Sequence, residues 1–109
     1  MSENKPTRDP FDAIADPTRR QLIRLLAESG EVPLHELTVH FDMGRTAVSK
    51  HLTVLKEAGL VVDRRVGRET RYKLNAMPLR EVQDWLAYYT HFWTTNLMRL
   101  NLFLQEDEE

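Results

Sequence analysis

Glycine occurs four times in 109 residues, as Gly30, Gly44, Gly59 and Gly67, and each stands where a periodic stretch must stop or turn. Glycine adopts backbone conformations other residues avoid, so it marks helix ends and tight turns. Before Gly30, Asp9-Pro10 opens a short helical stretch through Phe11, Ile14 and Ala15. Asp is a good N-cap and Pro suits the first helical position. Asp16-Pro17 repeats the device, and Leu22, Ile23, Leu25 and Leu26 then mark an apolar helical face among Arg19, Arg20 and Arg24. Glu31-Val32 reads as a short extended link. A short helix is expected from about Leu34 to Phe41, with Leu34, Leu37 and Phe41 on one face. Asp42-Met43-Gly44 forms a tight turn, and a second helix runs from about Arg45 to Ala58 with Val48, Leu52 and Leu55 inward, ended by Gly59.

Two short helices joined by a Gly-containing turn form a helix-turn-helix. Leu60 to Val66 and Glu69 to Leu74 follow, alternating β-branched or aromatic residues with charges on either side of Gly67-Arg68. This predicts a β-hairpin, placed as a wing directly after the second helix. From Pro78 to about Leu104 there is no Gly and no internal Pro, which predicts one helix of about 27 residues, roughly 40 Å long. Leu79, Leu86, Trp93 and Leu100 recur every seven residues, and Val82, Tyr89 and Phe103 form a second row interrupted by Asn96. Trp85, Phe92, Leu97 and Leu104 widen the stripe, which is too long for so small a core to cover. It is expected to be a dimer interface; the alternative is a ligand pocket lined by its Trp and Tyr residues.

The expected fold is mainly α with a small β-hairpin, a winged helix-turn-helix over residues 10–104. A flexible arm (1–9) precedes it and an acidic, frayed tail (105–109) follows. The polar start has no apolar signal-peptide core behind it, and no apolar run is long enough to span a bilayer. A soluble cytoplasmic protein with no membrane partner is expected. With no Cys, disulfides, thiolate metal sites and Cys nucleophiles are excluded. The net charge of −2 conceals an uneven distribution. Residues 17–74 carry eleven basic and seven acidic side chains, net +4, and residues 75–109 carry two basic and six acidic, net −4. A basic centre between acidic ends points to a local anion-binding face.

The start of the second helix of a helix-turn-helix meets base edges in the major groove. Here Arg45 can bond a guanine through two parallel hydrogen bonds, Thr46 and Ser49 a base edge or phosphate, and Thr46 or Ala47 a thymine methyl. Lys50 fits a phosphate or a guanine. His51 either bonds a phosphate or packs against the hairpin. In the wing, Arg64, Arg65, Arg68 and Arg71 are candidates for the DNA backbone; alternation puts Arg64 and Arg65 on opposite sides, so not all can reach it. No metal site is expected: His35 and His40 are five apart and diverge on a helix, and Thr94 and Thr95 follow His91 where a ligand pair would stand. No Ser-His-Asp pattern, phosphate loop or paired catalytic carboxylate occurs, and Glu81 and Asp84 read as a solvated face. No cofactor and no enzymatic activity are expected.

The segments FDAIADPTRRQLIRLL (11–26), MGRTAVSKHLTVLKEAGLV (43–61), RRVGRETRYKL (64–74) and WLAYYTHFW (85–93) together resemble the ArsR-type (arsenic-repressor-like) winged-helix regulators over roughly residues 10–104. The first and fourth look like a branch of small autorepressors without a metal site, often encoded beside a second small protein. The resemblance implies a homodimer built from the first and last helices, with both wings on one double-stranded operator. It assigns Phe11, Ile14, Leu79, Val82, Leu86, Tyr89, Trp93, Leu97, Leu100 and Leu104 to the dimer interface. Metal-sensing relatives carry two cysteines in the first helix of the motif, where ELTVHFD (36–42) has Thr38 and His40; the Asp and His ligands of the other sensor type are absent from the last helix. TTNLMRLNLFL (94–104) is less charged than that branch implies, which fits a drier dimer interface or a further partner. The expected function is repression by occlusion of an inverted-repeat operator. The alternatives are a repressor released by a metal or an unidentified small effector, and a winged-helix module that binds protein and not DNA.

Overall fold

The computed structural model describes residues 6–107. Residues 1–5 of the expected arm and 108–109 of the expected tail lie outside the described residues. Helix α1 spans Pro10–Ala13, and α2 spans Pro17–Ser29. Each begins as its Asp-Pro pair dictates: Asp9 accepts from the Phe11 N–H at 2.9 Å, and Asp16 from the Arg19 N–H at 3.0 Å. Strand β1, Val32–Pro33, is followed by α3, Leu34–Thr38. α3 stops three residues short of the expected Phe41. The Thr38 hydroxyl donates to the His35 carbonyl, and the chain leaves through two tight turns, His40 to Leu37 and Phe41 to Thr38. Thr38-Val39 is a β-branched pair that propagates a helix poorly.

Helix α4, Arg45–Glu57, buries Val48, Leu52 and Leu55 completely. Its end is closed by a Schellman motif: Leu60 N–H donates to the Leu55 carbonyl and Gly59 N–H to that of Lys56. This requires Gly59 in the left-handed region, at φ 77°. One more terminal carbonyl, that of Glu57, accepts from Thr7 N–H at 2.9 Å, and the Arg8 guanidinium joins Glu57 to Asp12. Part of the expected flexible arm is therefore bonded to the end of α4.

Strands β2, Val61–Val66, and β3, Glu69–Leu74, form the hairpin. Gly67 has φ 65° and no non-glycine residue has positive φ among the described residues, the pattern of a two-residue type II′ turn. The hairpin is part of a larger sheet, because β1 pairs antiparallel with β3 to give the order β1-β3-β2. The segment expected to be a link is thus a third strand. Val32, Val61 and Tyr72 face the core with Leu22, Leu26, Leu37 and the apolar row of α4.

From Arg80 on, the described residues form a second compact unit. The single long helix expected there is two: α5, Leu79–Tyr88, and α6, Thr90–Asp107. They meet at Tyr89, whose N–H bonds the Leu86 carbonyl three residues back. Tyr88, Tyr89 and Thr90 are aromatic or β-branched and lose side-chain freedom in a helix. The Tyr89 ring stands edge-on to those of Trp85 and Tyr88, with centroids 5.2 and 5.0 Å apart. No helix among the described residues is long and apolar enough to cross a membrane.

Candidate nucleic-acid interface

The first two turns of α4 present Arg45, Thr46 and Lys50 to solvent, with Ala47 and Ser49 half-buried beside them. The helix spacing that buries Val48, Leu52 and Leu55 on one side forces this display on the other. Arg45 borders a shallow groove of about 330 Å³ that also contains Arg68 at the wing tip, with Leu34, His35, Val66, Glu69 and Thr70. The fold thus brings the start of α4 and the hairpin turn to one groove, although they are 23 residues apart in sequence (68 less 45). His35, weighed in the sequence only as a metal ligand, lines it too. Nothing in its spacing marked it, because the packing of α3 beside β3 is what brings it there.

The wing arginines divide into two kinds. Arg64 and Arg71 are directly opposite in the strand register. Like charges so placed repel, and each has its own carboxylate. Arg64 grips Glu31 with two donors, Nη2 to Oε1 at 2.8 Å and Nε to Oε2, and Arg71 Nε donates to Glu69 at 2.7 Å. The hydrogen bond from Arg64, against a smaller opposing effect of burial, holds the Glu31 carboxyl below its ordinary range; the charges of Arg64, Arg71 and Lys73 add to this. Arg65 lies on the other face with Asp63 and Tyr72, and Arg65 and Arg68 are both exposed. Among the described residues, Arg45, Lys50, Arg65 and Arg68 form no ion pair.

The polar neighbours of His51 within the chain are residues of α2 and its cap. Its ring lies at the start of α2, with Nδ1 3.3 Å from Arg19 Nη1 and 3.9 Å from Asp16 Oδ2. Burial opposes ionisation of Asp16, but the Arg19 N–H, the positive charge of the His51 ring when it is protonated, the charge of Arg19 and the Thr18 N–H outweigh it, and the carboxyl lies below its ordinary range.

Of the residues expected at a dimer interface, Ile14 and Leu79 pack against the core of their own chain, and Phe11, Val82 and Tyr89 are half-buried. Leu86, Trp93, Leu97, Leu100 and Leu104 are 40–56% exposed in the single chain. Among the described residues no three His, Cys, Asp or Glu side chains converge as a metal site.

Residues 16–62, from the cap of α2 to the start of β2, match the family described as bacterial regulatory protein, arsR family. The transcriptional repressor SdpR of Bacillus subtilis is 36% identical over 79 residues, 72% of this chain and 87% of that protein. The arsenic resistance transcriptional regulator ArsR1 of Pseudomonas putida is 37% identical over 76 residues, covering 70% of this chain but 56% of that longer protein. A solved structure described as a possible transcriptional regulator for arsenical resistance superposes with a TM-score of 0.69 at 41% identity, over 87% of this chain and 95% of that one. A helix-turn-helix with a wing, an unpaired basic display at the start of its second helix, and these likenesses have one explanation: the chain belongs to the arsR family of bacterial regulatory proteins.

Proposed function

We propose that this transcription regulator is a cytoplasmic homodimeric repressor that occupies an inverted-repeat operator and excludes polymerase. The observation that carries the reading is the groove where Arg45 and Arg68, both exposed and without a carboxylate partner, lie together. Each α4 enters a major groove, with the two half-sites roughly 34 Å apart. Arg45 reads a base edge, Thr46, Ala47 and Ser49 line the same edge, and Lys50, Arg65 and Arg68 bind phosphate. Arg64 and Arg71 brace the wing through Glu31 and Glu69. The exposed row Leu86, Trp93, Leu97, Leu100 and Leu104 forms the dimer seam, with α1 contributing Phe11 and Ile14. Nothing in this assembly calls for catalysis. Relatives are named for arsenic resistance, but this chain has no Cys to bind a thiophilic metalloid, so repression here is metal-independent.

A footprint of the purified protein on its own upstream DNA, with and without zinc, tests the reading. Protection of a short inverted repeat, unchanged by zinc, is expected. Protection lost with zinc would overturn metal independence, and no protection of any sequence in a random-duplex selection would overturn repression through DNA.

A further inference from the structure

A guanidinium has only donors. The Arg19 Nη1 facing His51 Nδ1 at 3.3 Å therefore requires that nitrogen to accept. A neutral imidazole accepting at Nδ1 carries its proton on Nε2. Asp16 does not compete for the opposite tautomer, since 3.9 Å is too long for a hydrogen bond and its carboxylate already caps α2. Arg19 is itself held: Nε donates to the Ala13 carbonyl at 2.6 Å and Nη2 to that of Asp12 at 3.3 Å. Both carbonyls belong to the last turn of α1; that of Asp12 also accepts from the Ala15 N–H at 3.2 Å. One side chain thus ties the end of α1 to a ring on α4.

The other side of the ring is open. Among the described residues no buried side-chain nitrogen or oxygen lacks a partner. Nε2 has no protein partner among the described residues, so it reaches solvent, consistent with a side chain 24% exposed. His51 sits on the flank of α4, between the buried row Val48, Leu52, Leu55 and the exposed row Thr46, Lys50, Thr53. A flank position meets the DNA backbone before the base edges.

We propose that Arg19 is a positioning residue for DNA binding: it fixes His51 as the Nε2–H tautomer, so that the ring offers a ready donor to a phosphate oxygen. The proposal rests on α4 being the element that enters the groove. The bond supplies affinity and register without displacing a counterion, because the ring is neutral and Arg19 stays with the protein.

The test uses the full chain and the operator duplex from the footprint. Nitrogen-resolved NMR of the free protein near neutral pH should show His51 protonated at Nε2, and Arg19→Ala should give mixed tautomers. His51→Ala should weaken operator binding about tenfold or more, Arg19→Ala by less, about twofold per protomer for an even tautomer mixture, and the double variant no further than His51→Ala alone. The slope of log affinity against log salt should stay unchanged in all three. A slope lower by about 0.9 per protomer in Arg19→Ala would make Arg19 a direct phosphate contact and overturn the proposal. An Nδ1–H ring in the free protein would also overturn it. Should Arg19→Ala fail to fold, His51→Gln, whose amide reaches the place of Nε2, should retain affinity within about twofold. His51→Asn, whose amide reaches only the place of Nδ1, should lose about tenfold; equal losses would refute the donor role. Salt-insensitive binding by the unaltered protein would remove the DNA reading itself, whatever the tautomer.

Discussion

Arg64→Ala and Arg68→Ala remove the same side chain from the same hairpin, yet they should have different effects on DNA binding. Arg68 is exposed at the turn and has no carboxylate, so on DNA it displaces condensed counterions. Arg64 is already neutralised by Glu31 through two hydrogen bonds. Each phosphate contact contributes about 0.9 to the slope of log affinity against log salt. A dimer has two wings, so Arg68→Ala should lower the slope by about 1.8. Over the fourfold range from about 50 to 200 mM this amounts to an approximately 12-fold smaller loss of affinity than the unaltered protein suffers. Arg64→Ala should leave the slope unchanged, and Glu31→Gln, which frees Arg64, should steepen it. Fluorescence anisotropy of a labelled operator duplex, titrated at four or five salt concentrations, measures all four proteins. Equal reductions from Arg64→Ala and Arg68→Ala would refute the reasoning, because Glu31 would then not be holding Arg64 back.

Arg45→Ala should cost about 1–3 kcal/mol of operator affinity and relax selectivity at one base pair; a uniform loss over all sequences would place Arg45 on phosphate instead. Trp93→Asp puts a charge into the exposed apolar row of α6 and should give a monomer with poor operator binding, and an intact dimer in sedimentation would exclude Trp93 from the seam. Asp16→Ala removes the cap of α2 and should cost about 1 kcal/mol, a fall of roughly 4–8 °C in melting temperature, at fixed protein concentration. Asp16→Asn keeps the cap acceptor but not the charge. Because the folded carboxyl lies below its ordinary range, its charge contributes stability above the unfolded value near about 3.9, lost as pH falls through the lower folded value. The gap between the unaltered protein and Asp16→Asn should therefore narrow as pH falls below about 4, and urea midpoints with a gap that stays constant from about pH 6 to about pH 3 would contradict that origin.

The elements around α4 were legible because glycine and periodicity agree there: Gly44 and Gly59 bracket a row, Val48, Leu52, Leu55, that has no reading except as the inner face of a helix. The hairpin was legible because Gly67 interrupts two alternating runs. β1 was not, since two residues cannot show alternation and its partner Tyr72 is 40 positions away from Val32 (72 less 32). The break at Tyr89 was missed because neither Gly nor Pro marks it; it falls where aromatic and β-branched residues crowd one another. At the candidate site, helix spacing alone identified Arg45 and Lys50 as exposed. The division of the wing arginines depends on Glu31, 33 positions before Arg64, and the setting of His51 depends on Arg19, 32 positions before it. Contacts of that range follow from the packed fold and leave no local trace.

The hydrogen bond from Thr7 to the Glu57 carbonyl makes the first part of the chain a splice on the far end of α4. Trimming to residue 9, or grafting a folded fusion partner directly ahead of Pro10, would strip that carbonyl of its donor and Glu57 of Arg8. The helix would then fray from the end remote from DNA, and a tagged preparation could read its operator poorly without any change to a residue that touches it. Fusions to this protein should keep Pro6-Thr7-Arg8 and begin their linker upstream of them.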